Sequence, residues 1–332
     1  MLKSYVKAIE YYFPETVEYN DINEKSTKKI GIYQKNVSSK DEYASDLGYK
    51  AALKLIQSGI CIAEDIDYLL YCTQSPDYYL PTTACILQEK LGLPNHCGAL
   101  DFNLGCSGFV YGLSIAKGLI ETGSAKNILL ITSDTYSKYI NKADRSVKPL
   151  FGDGAAATLV SSIESDEELI GPFVFGTDGK GAKNLIVPAG GLREPISDKS
   201  LEETTDTFGN VRSNKNLYMN GPEIFNFTLR EIPAAINNLL SKTKTCLDDY
   251  NYFVFHQANA YMLEHLRVKL KIPKEKFSIQ MEDCGNTVSS SIPISLKKEM
   301  SSGKLNMNDN LLLVGFGVGY SWAACQLKWI NK

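Results

Sequence analysis

The sequence lacks the features that mark several common classes of protein. No apolar run in the 332 residues reaches the ~18 that a membrane-spanning helix needs, and the eight cysteines include no C-x-x-C pair. Basic residues are not in excess, because 35 Lys and Arg stand against 38 Asp and Glu. The phosphate-binding pattern G-x-x-x-x-G-K-[ST] is also missing. These absences argue against a membrane protein, a zinc ribbon, a P-loop protein and a whole-chain nucleic-acid binder.

The remaining composition is that of an ordinary globular protein, with 44% hydrophobic and 22% charged residues. Its length predicts about two domains. An acidic stretch at 164–168 interrupts the pattern near the midpoint, so we predict one half over 1–165 and a second over 166–332. Lys7 and Glu10 interrupt the N-terminal segment before an export signal could form, which predicts a cytoplasmic protein.

Strand-like and helix-like segments alternate along the chain. Short apolar runs predict strands at 66–72, 127–132, 155–161, 252–255 and 311–314. Helical spacing of apolar residues predicts helices at 82–91, 107–121, 225–240 and 259–270. Pro233 is expected to kink or break the third of these helices. Such alternation is typical of an α/β protein with a largely parallel sheet.

The strongest local signal lies around Cys106, in the sequence NLGCSG at 103–108. A buried strand ends, a glycine turns the chain, and the cysteine stands at the start of a predicted helix. The positive end of the helix dipole and unpaired N–H groups favour a thiolate there, which predicts a lowered pKa for Cys106. The alternative is a packed cysteine in a tight turn.

Three further segments carry residues suited to catalysis. His256 follows a predicted strand, and the end of a strand is where α/β folds place catalytic groups. Asn286 lies on a Gly/Asn/Ser loop, which either presents an amide donor or simply caps a helix. The glycines at 315–319 do not form G-x-G-x-x-G, because position 320 is Tyr, but their backbone N–H groups could hold an oxyanion.

Taken together, these motifs resemble the 3-oxoacyl-[acyl-carrier-protein] synthase III family of thiolase-fold condensing enzymes. The matching segments follow the family's order over nearly the whole chain: 75–78, 81–84, 103–112, 150–155, 256–259, 285–287 and 315–319. The resemblance implies two similar halves, each with a five-stranded sheet, that together form a five-layered αβαβα architecture. It also implies a homodimer.

The resemblance also implies a reaction, the decarboxylating condensation of an acyl thioester with malonyl-acyl-carrier-protein. Cys106 would carry the acyl group as an intermediate, and His256 and Asn286 would donate hydrogen bonds to the malonyl thioester carbonyl. The backbone N–H groups of Cys106 and Val318 would stabilise the tetrahedral oxyanion. Neither a metal nor a redox cofactor is expected. The product would be a 3-oxoacyl-acyl-carrier-protein.

The residues that hold the substrates depart from the family's pattern. Members usually carry a Trp and an Arg early in the chain that bind the adenine of coenzyme A, and the corresponding positions here are Lys25 and Lys29. Arg145 is retained. We therefore assign Lys29 and Arg145 to coenzyme A or phosphopantetheine binding, and expect weak preference for free coenzyme A thioesters because the stacking Trp is missing.

A basic segment follows His256 on a chain of net charge −3. Acyl carrier proteins are acidic, and complementary charge speeds association. The segment therefore predicts the docking site of the carrier protein, although a solvated helix end is an equally simple explanation. Its residues are Arg267, Lys269, Lys271 and Lys274.

Three other functions remain open. An acyltransferase that passes the acyl group to a hydroxyl or amine without decarboxylation would tend to lose Asn286, and a non-catalytic partner subunit would lose Cys106. A cysteine hydrolase would need a third orienting group, for which no local signature is present. Related thiolases carry a second cysteine in the terminal glycine loop, and elongating ketosynthases carry His where Asn286 stands; the sequence has neither.

Overall fold

The structure, a computed structural model, describes residues 1–330. Every helix among them is too short or too polar to cross a lipid bilayer. The helices are α1 (Lys25–Ile30), α2 (Ala44–Gln57), α3 (Thr83–Lys90), α4 (Gly108–Glu121), α5 (Asp198–Leu201), α6 (Gly221–Thr243), α7 (Ala260–Leu270) and α8 (Ser291–Ser301). The strands are β1 (Leu2–Tyr12), β2 (Thr16–Tyr19), β3 (Gln34–Val37), β4 (Tyr68–Cys72), β5 (Gly98–Phe102), β6 (Asn127–Asp134), β7 (Gly154–Glu164), β8 (Ile170–Thr177), β9 (Leu185–Ile186), β10 (Thr204–Thr205), β11 (Val211–Arg212), β12 (Tyr218–Met219), β13 (Tyr252–Phe255), β14 (Asn310–Gly317) and β15 (Ser321–Lys328).

Two large sheets repeat one arrangement. The first has the order β1-β7-β6-β4-β5, in which β1, β7 and β6 pair antiparallel and β6, β4 and β5 pair parallel. The second has the order β8-β15-β14-β13, again with two antiparallel pairings followed by a parallel one. The first sheet ends in sequence at Glu164 and the second begins at Ile170. The division into 1–165 and 166–332 stays a prediction.

The second sheet has four strands, so the expectation of five in each half is wrong for it. Where a fifth strand would lie, Phe277 makes a single bridge to Phe253. The side chain of Gln257 explains why the ladder stops. Its Nε2 donates to the Phe255 carbonyl at 2.7 Å and its Oε1 accepts from the Gln280 backbone N–H at 2.7 Å. A side-chain amide thus takes the place of further ladder bonds.

The side chains of the inner strands alternate between two cores, as a strand's period of two requires. In β4, Leu69 and Tyr71 pack with α2 and α3, while Leu70 faces the core between the sheets that holds α4 and α8. In β13, Val254 faces that same central core and Phe255 packs with α6 and α7. Both faces of each sheet are therefore covered. The order helix, sheet, helix, sheet, helix confirms the predicted five layers.

Helix α6 continues through Pro233, so the predicted break is absent, while the alternative of a kink stays a prediction. Proline has no N–H, so the carbonyl four residues earlier loses its helical partner. That carbonyl belongs to Leu229, and the Nζ of Lys269 on α7 donates to it at 2.9 Å. A neighbouring helix thus satisfies the acceptor that proline leaves open.

Candidate active site

Cys106 lies in the turn between β5 and α4, two residues before the helix begins. Its side chain is 4% exposed. Burial raises the pKa of Cys106 to about 12, although hydrogen bonds from the backbone N–H groups of Val318 and of Cys106 itself act in the opposite direction. The expectation of a lowered pKa is therefore wrong, because loss of hydration outweighs the helix terminus. The resting nucleophile is a neutral thiol.

The end of β14 packs directly against this turn. A Cβ added at Gly317 would lie 2.7 Å from Cys106 Sγ, and one added at Gly315 would lie 2.7 Å from Ser107 Cα. Neither position has room for a side chain. This close approach of the two backbones brings the Val318 N–H to the sulfur. The two N–H groups predicted to form an oxyanion site thus converge on Cys106.

His256 is the first residue after β13 and is buried, at 2% exposure. Its Nδ1 lies 2.7 Å from Oγ of Ser291, the first residue of α8. Burial lowers the pKa of His256 to about 3, because a charged imidazolium would lose its hydration. The ring is therefore neutral at pH 7 and is held in one orientation.

Asn286 is held in place by backbone hydrogen bonds to the segment 150–155, which has the sequence LFGDGA. Its backbone N–H donates to the Leu150 carbonyl at 2.9 Å, and its carbonyl accepts from the Gly152 N–H at 3.1 Å. Its side-chain Oδ1 accepts from the Val288 N–H at 2.9 Å. Gly285, with φ +73°, makes the turn that allows this approach. Because Oδ1 is engaged, the amide Nδ2 is the group that Asn286 can offer to a ligand.

Cys106, His256 and Asn286 line one cavity of about 400 Å³. The three side chains come from segments far apart in sequence, and the ends of β5, β13 and the loop before α8 bring them together. The outer part of the cavity is lined by Lys29, among others. A neutral thiol, a neutral imidazole and an amide donor on one cavity suit thioester chemistry, in which negative charge develops on a carbonyl oxygen.

The two residues assigned to substrate binding lie in different places. Lys29 lines the cavity, and its Nζ lies 3.9 Å from the ring centroid of Tyr261. Arg145 is exposed and lines a separate surface depression of about 700 Å³. Only its neighbour Ser146 reaches the cavity that holds Cys106. The joint assignment of Lys29 and Arg145 to substrate binding stays a prediction.

The predicted docking residues divide into two groups. Lys269 donates to the Leu229 carbonyl of α6, and Arg267 forms an ion pair with Glu264. Lys271, at the end of α7, and Lys274 are exposed. Two of the four predicted charges thus have internal partners, which reduces their availability to another protein.

An aromatic cluster at the outer part of the cavity was missed by the sequence reasoning. Phe225 and Tyr261 both line the cavity, and their rings stack with centroids 5.6 Å apart. His265 packs against Tyr261 at 4.1 Å. The signal for this cluster was the spacing of Tyr261 and His265 by four residues on one helix face.

A buried carboxyl near the nucleophile was also missed. Asp134, at the end of β6, is fully buried and accepts from the Gln74 backbone N–H at 2.7 Å and from the Ser289 hydroxyl. Burial raises the pKa of Asp134 to about 7, and its charge contributes to the raised pKa of Cys106. An acidic residue at the end of an otherwise apolar run was the available signal.

Within residues 1–330, His, Cys, Asp and Glu form no group of three or more that could hold a metal ion. His256 contacts a serine and Cys106 contacts backbone N–H groups. The polar groups of the cavity are therefore arranged around hydrogen bonding.

Two family models match the chain. Residues 100–179 match "3-Oxoacyl-[acyl-carrier-protein (ACP)] synthase III", and residues 240–329 match the C-terminal part of the same family. The first match contains Cys106, and the second contains His256 and Asn286.

Curated relatives are similar over nearly the full length. The Beta-ketoacyl-[acyl-carrier-protein] synthase III of Caldanaerobacter subterraneus is 35% identical over 96% of this chain and 95% of its own. That of Clostridium tetani is 39% identical over 91% of this chain and 89% of its own. A crystal structure of a 3-oxoacyl-(acyl-carrier-protein) synthase III is 50% identical, covers 98% of this chain and 100% of its own, and superposes with a TM-score of 0.97.

Proposed function

The chain belongs to the 3-oxoacyl-[acyl-carrier-protein] synthase III family, and we propose that Cys106, His256 and Asn286 are the residues that carry its reaction. Its α/β fold is the thiolase fold that the resemblance predicts. The enzyme is an acyltransferase that condenses an acyl thioester with malonyl-acyl-carrier-protein, with loss of carbon dioxide. The observation that supports the residue assignment is that all three side chains line one cavity.

The first step is exchange between two thioesters. The Cys106 sulfur attacks the carbonyl carbon of the acyl donor, the bond to the donor's sulfur breaks, and the Cys106 proton leaves with the departing thiol. The backbone N–H groups of Cys106 and Val318 lower the energy of the intermediate oxyanion. Each such donor typically contributes ~3 kcal/mol to the transition state. The raised pKa of Cys106 keeps the sulfur neutral until the donor has entered.

The second step uses the other two residues. The Ser291 hydroxyl holds His256 through Nδ1. In the Nε2–H tautomer, in which the hydroxyl is the donor of that bond, Nε2 and Asn286 Nδ2 donate to the malonyl thioester carbonyl. These hydrogen bonds stabilise the negative charge on the enolate oxygen that forms when carbon dioxide leaves. The resulting enolate attacks the acyl group on Cys106, and the released thiolate takes up one proton from solvent because of its high pKa. This arrangement needs no metal or redox cofactor.

The test is an intact-mass measurement after incubation with acyl thioesters and malonyl-carrier-protein. Peptide mapping is expected to place the acyl group on Cys106, and Cys106→Ser is expected to abolish condensation. Cys97→Ser is a matched control, since Cys97 is also buried but lies outside the cavity. Stoichiometric acylation of Cys97 or Cys284 in place of Cys106 would contradict the assignment.

The acyl donor is carried on phosphopantetheine, with little contribution from adenine. At the position where the family has a stacking Trp, Lys25 offers a point charge and no planar surface. The ring of Tyr261, which lines the cavity, is already engaged, because Lys29 lies over it and Phe225 stacks on it. Competing an acyl-coenzyme A against the same acyl group on phosphopantetheine tests this. A preference of about tenfold or more for coenzyme A would reject it, since stacking contributes ~1–3 kcal/mol per base.

The carrier protein docks on the exposed charges at the end of α7. Lys271→Glu together with Lys274→Glu is expected to raise KM for malonyl-carrier-protein, most strongly at low salt where surface charges are least screened. Lys244→Glu is a matched control, since Lys244 ends helix α6 with the same φ of 57° that Lys271 has at the end of α7. An equal KM for both sets at low salt would reject the docking site.

A homodimer and a cytoplasmic location complete the proposal. β5 is an edge strand of the first sheet, and Leu100 on it is 40% exposed. The loop with Tyr78, Tyr79 and Leu80 exposes between 63% and 82% of these side chains. An open edge beside an apolar loop favours pairing with a second copy. Light scattering should give twice the monomer mass, and Leu100→Lys with Leu80→Asp should shift the mass toward the monomer.

A further inference from the structure

A second cavity of about 420 Å³ adjoins the Cys106 turn. Val318, whose N–H reaches the Cys106 sulfur, lines it, and Leu185 lines both this cavity and the one that holds Cys106. A Cβ added at Gly105, the residue before Cys106, would meet Val318 and Gln74. The second cavity therefore lies within reach of a group attached to the sulfur.

One wall of this cavity is polar and is organised around Gln74. Its Nε2 donates to Asn103 Oδ1 at 2.9 Å, and its Oε1 accepts from the Tyr136 hydroxyl. The Tyr139 hydroxyl donates to the Gln74 backbone carbonyl at 3.0 Å. These bonds fix the amide of Gln74 in one orientation. The opposite wall is apolar and contains Ile186, Val187 and Leu217.

The polar wall has hydrogen-bond donors that the fold leaves free. An amide NH₂ has two donors, and the Gln74 amide uses one of them on Asn103. Within residues 1–330, the Asn103 amide nitrogen has no protein acceptor among the hydrogen bonds of the fold. The acceptor oxygens of both side chains are engaged. The wall therefore presents N–H donors to whatever occupies the cavity.

In the proposed function the acyl group on Cys106 extends into this cavity, and we propose that the amide of Gln74, oriented by Asn103, selects acyl groups bearing a hydroxyl or carbonyl oxygen over plain alkyl chains. The inference rests on the proposed acyl-Cys106 intermediate. An alkyl chain would displace water from the half-buried Gln74 amide and leave its second donor unpaired, whereas an oxygen on the chain accepts from it. Sites built to bind a polar group discriminate strongly against the analogue that lacks it.

The test compares acyl donors that differ by one oxygen. Butanoyl, 3-hydroxybutanoyl and 4-hydroxybutanoyl groups, each on the same phosphopantetheine, are offered to the enzyme, and the rate of Cys106 acylation is read by intact mass. At least one hydroxylated donor is expected to react about tenfold or more faster than butanoyl. Gln74→Met, which keeps the chain length and removes the amide, should abolish that preference. Gln57→Met, an exposed residue at the end of α2, should leave it unchanged.

The outcomes separate this inference from the proposed function. If butanoyl reacts as fast as both hydroxylated donors and condensation proceeds, the polar selection is wrong and the proposed function stands. If no donor acylates Cys106, both are wrong. If circular dichroism shows that Gln74→Met does not fold, Asn103→Leu replaces it as the test variant. Asn103 is exposed, so its side chain contributes little to the core. The ratio of acylation rates for hydroxylated and plain butanoyl donors is then compared between the wild type and Asn103→Leu. A wild-type preference that Asn103→Leu leaves unchanged would also overturn the inference.

Discussion

Gly317→Ala should inactivate the enzyme by displacing its nucleophile. The added methyl carbon would lie 2.7 Å from Cys106 Sγ and 2.8 Å from Cys106 Cβ. Non-bonded heavy atoms normally approach to ~3.5–4.0 Å, so the contact is about 1 Å too close. Both partners belong to well-packed backbone segments, β14 and the turn before α4. The sulfur therefore has to move away from the two N–H groups that face it.

The expected loss follows from the size of that movement. A displacement of ~1 Å in a reacting group can reduce the rate by about 10²-fold. Overpacking in a well-packed region costs ~1–3 kcal/mol of stability, so the variant should still fold. The assay is the rate of Cys106 acylation by intact mass, together with kcat/KM for condensation and the midpoint of thermal unfolding.

Gly118→Ala is the matched control for this substitution. Gly118 lies on the exposed face of α4, and a Cβ built there meets no atom within 4 Å. Alanine in a helix is ~0.5–1 kcal/mol more favourable than glycine, so this variant should be at least as stable and fully active. Wild-type acylation by Gly317→Ala would refute the argument that β14 positions the sulfur. A loss of activity with an unfolded protein would refute the estimate of its cost.

Three further predictions test other parts of the structure. His256→Ala and Asn286→Ala should retain acylation of Cys106 and lose condensation by about 10²- to 10³-fold, as expected for oxyanion donors; failure of either variant at acylation, read by intact mass, would assign it to the first step. In a double-mutant cycle followed by urea unfolding, Lys269→Met should lower the free energy of unfolding by about 1 kcal/mol in the wild-type background, which contains Pro233. In a Pro233→Ala background it should have almost no effect, because the helix regains its own N–H donor. Equal effects in both backgrounds would show that Lys269 does not compensate for the proline. Alkylation of Cys106 by iodoacetamide should rise about tenfold per pH unit from pH 7 to 10 without a plateau, because a raised pKa leaves the thiolate fraction small throughout; a plateau near pH 8, followed by peptide mapping, would show that the helix terminus dominates.

Much of the fold could be predicted because buried strands are short and apolar. The runs at 66–72 and 252–255 became β4 and β13, since both faces of each sheet are covered and no polar face is required. The helix predicted at 107–121 was found at Gly108–Glu121 for the same kind of reason, its apolar spacing. The effect of Pro233 on helix α6 could not be predicted from apolar spacing. Whether a proline breaks a helix depends on a donor for the freed carbonyl, and that donor comes from a residue 36 positions later, Lys269.

The candidate site was predictable as a set of motifs and unpredictable as an electrostatic environment. The helix terminus beside Cys106 is a local feature, which the sequence shows as a glycine followed by apolar residues at helical spacing. Its effect on the pKa of the thiol competes with burial, and burial is produced by β14, which lies some 200 residues away in sequence. The same holds for Asn286: the loop sequence left a donor and a helix cap equally open. The bond from the Val288 N–H to its Oδ1 and the clamp from Leu150 and Gly152 fix the amide nitrogen as the free group. A motif therefore identifies which atoms can react, while the packing of distant segments sets their protonation and direction.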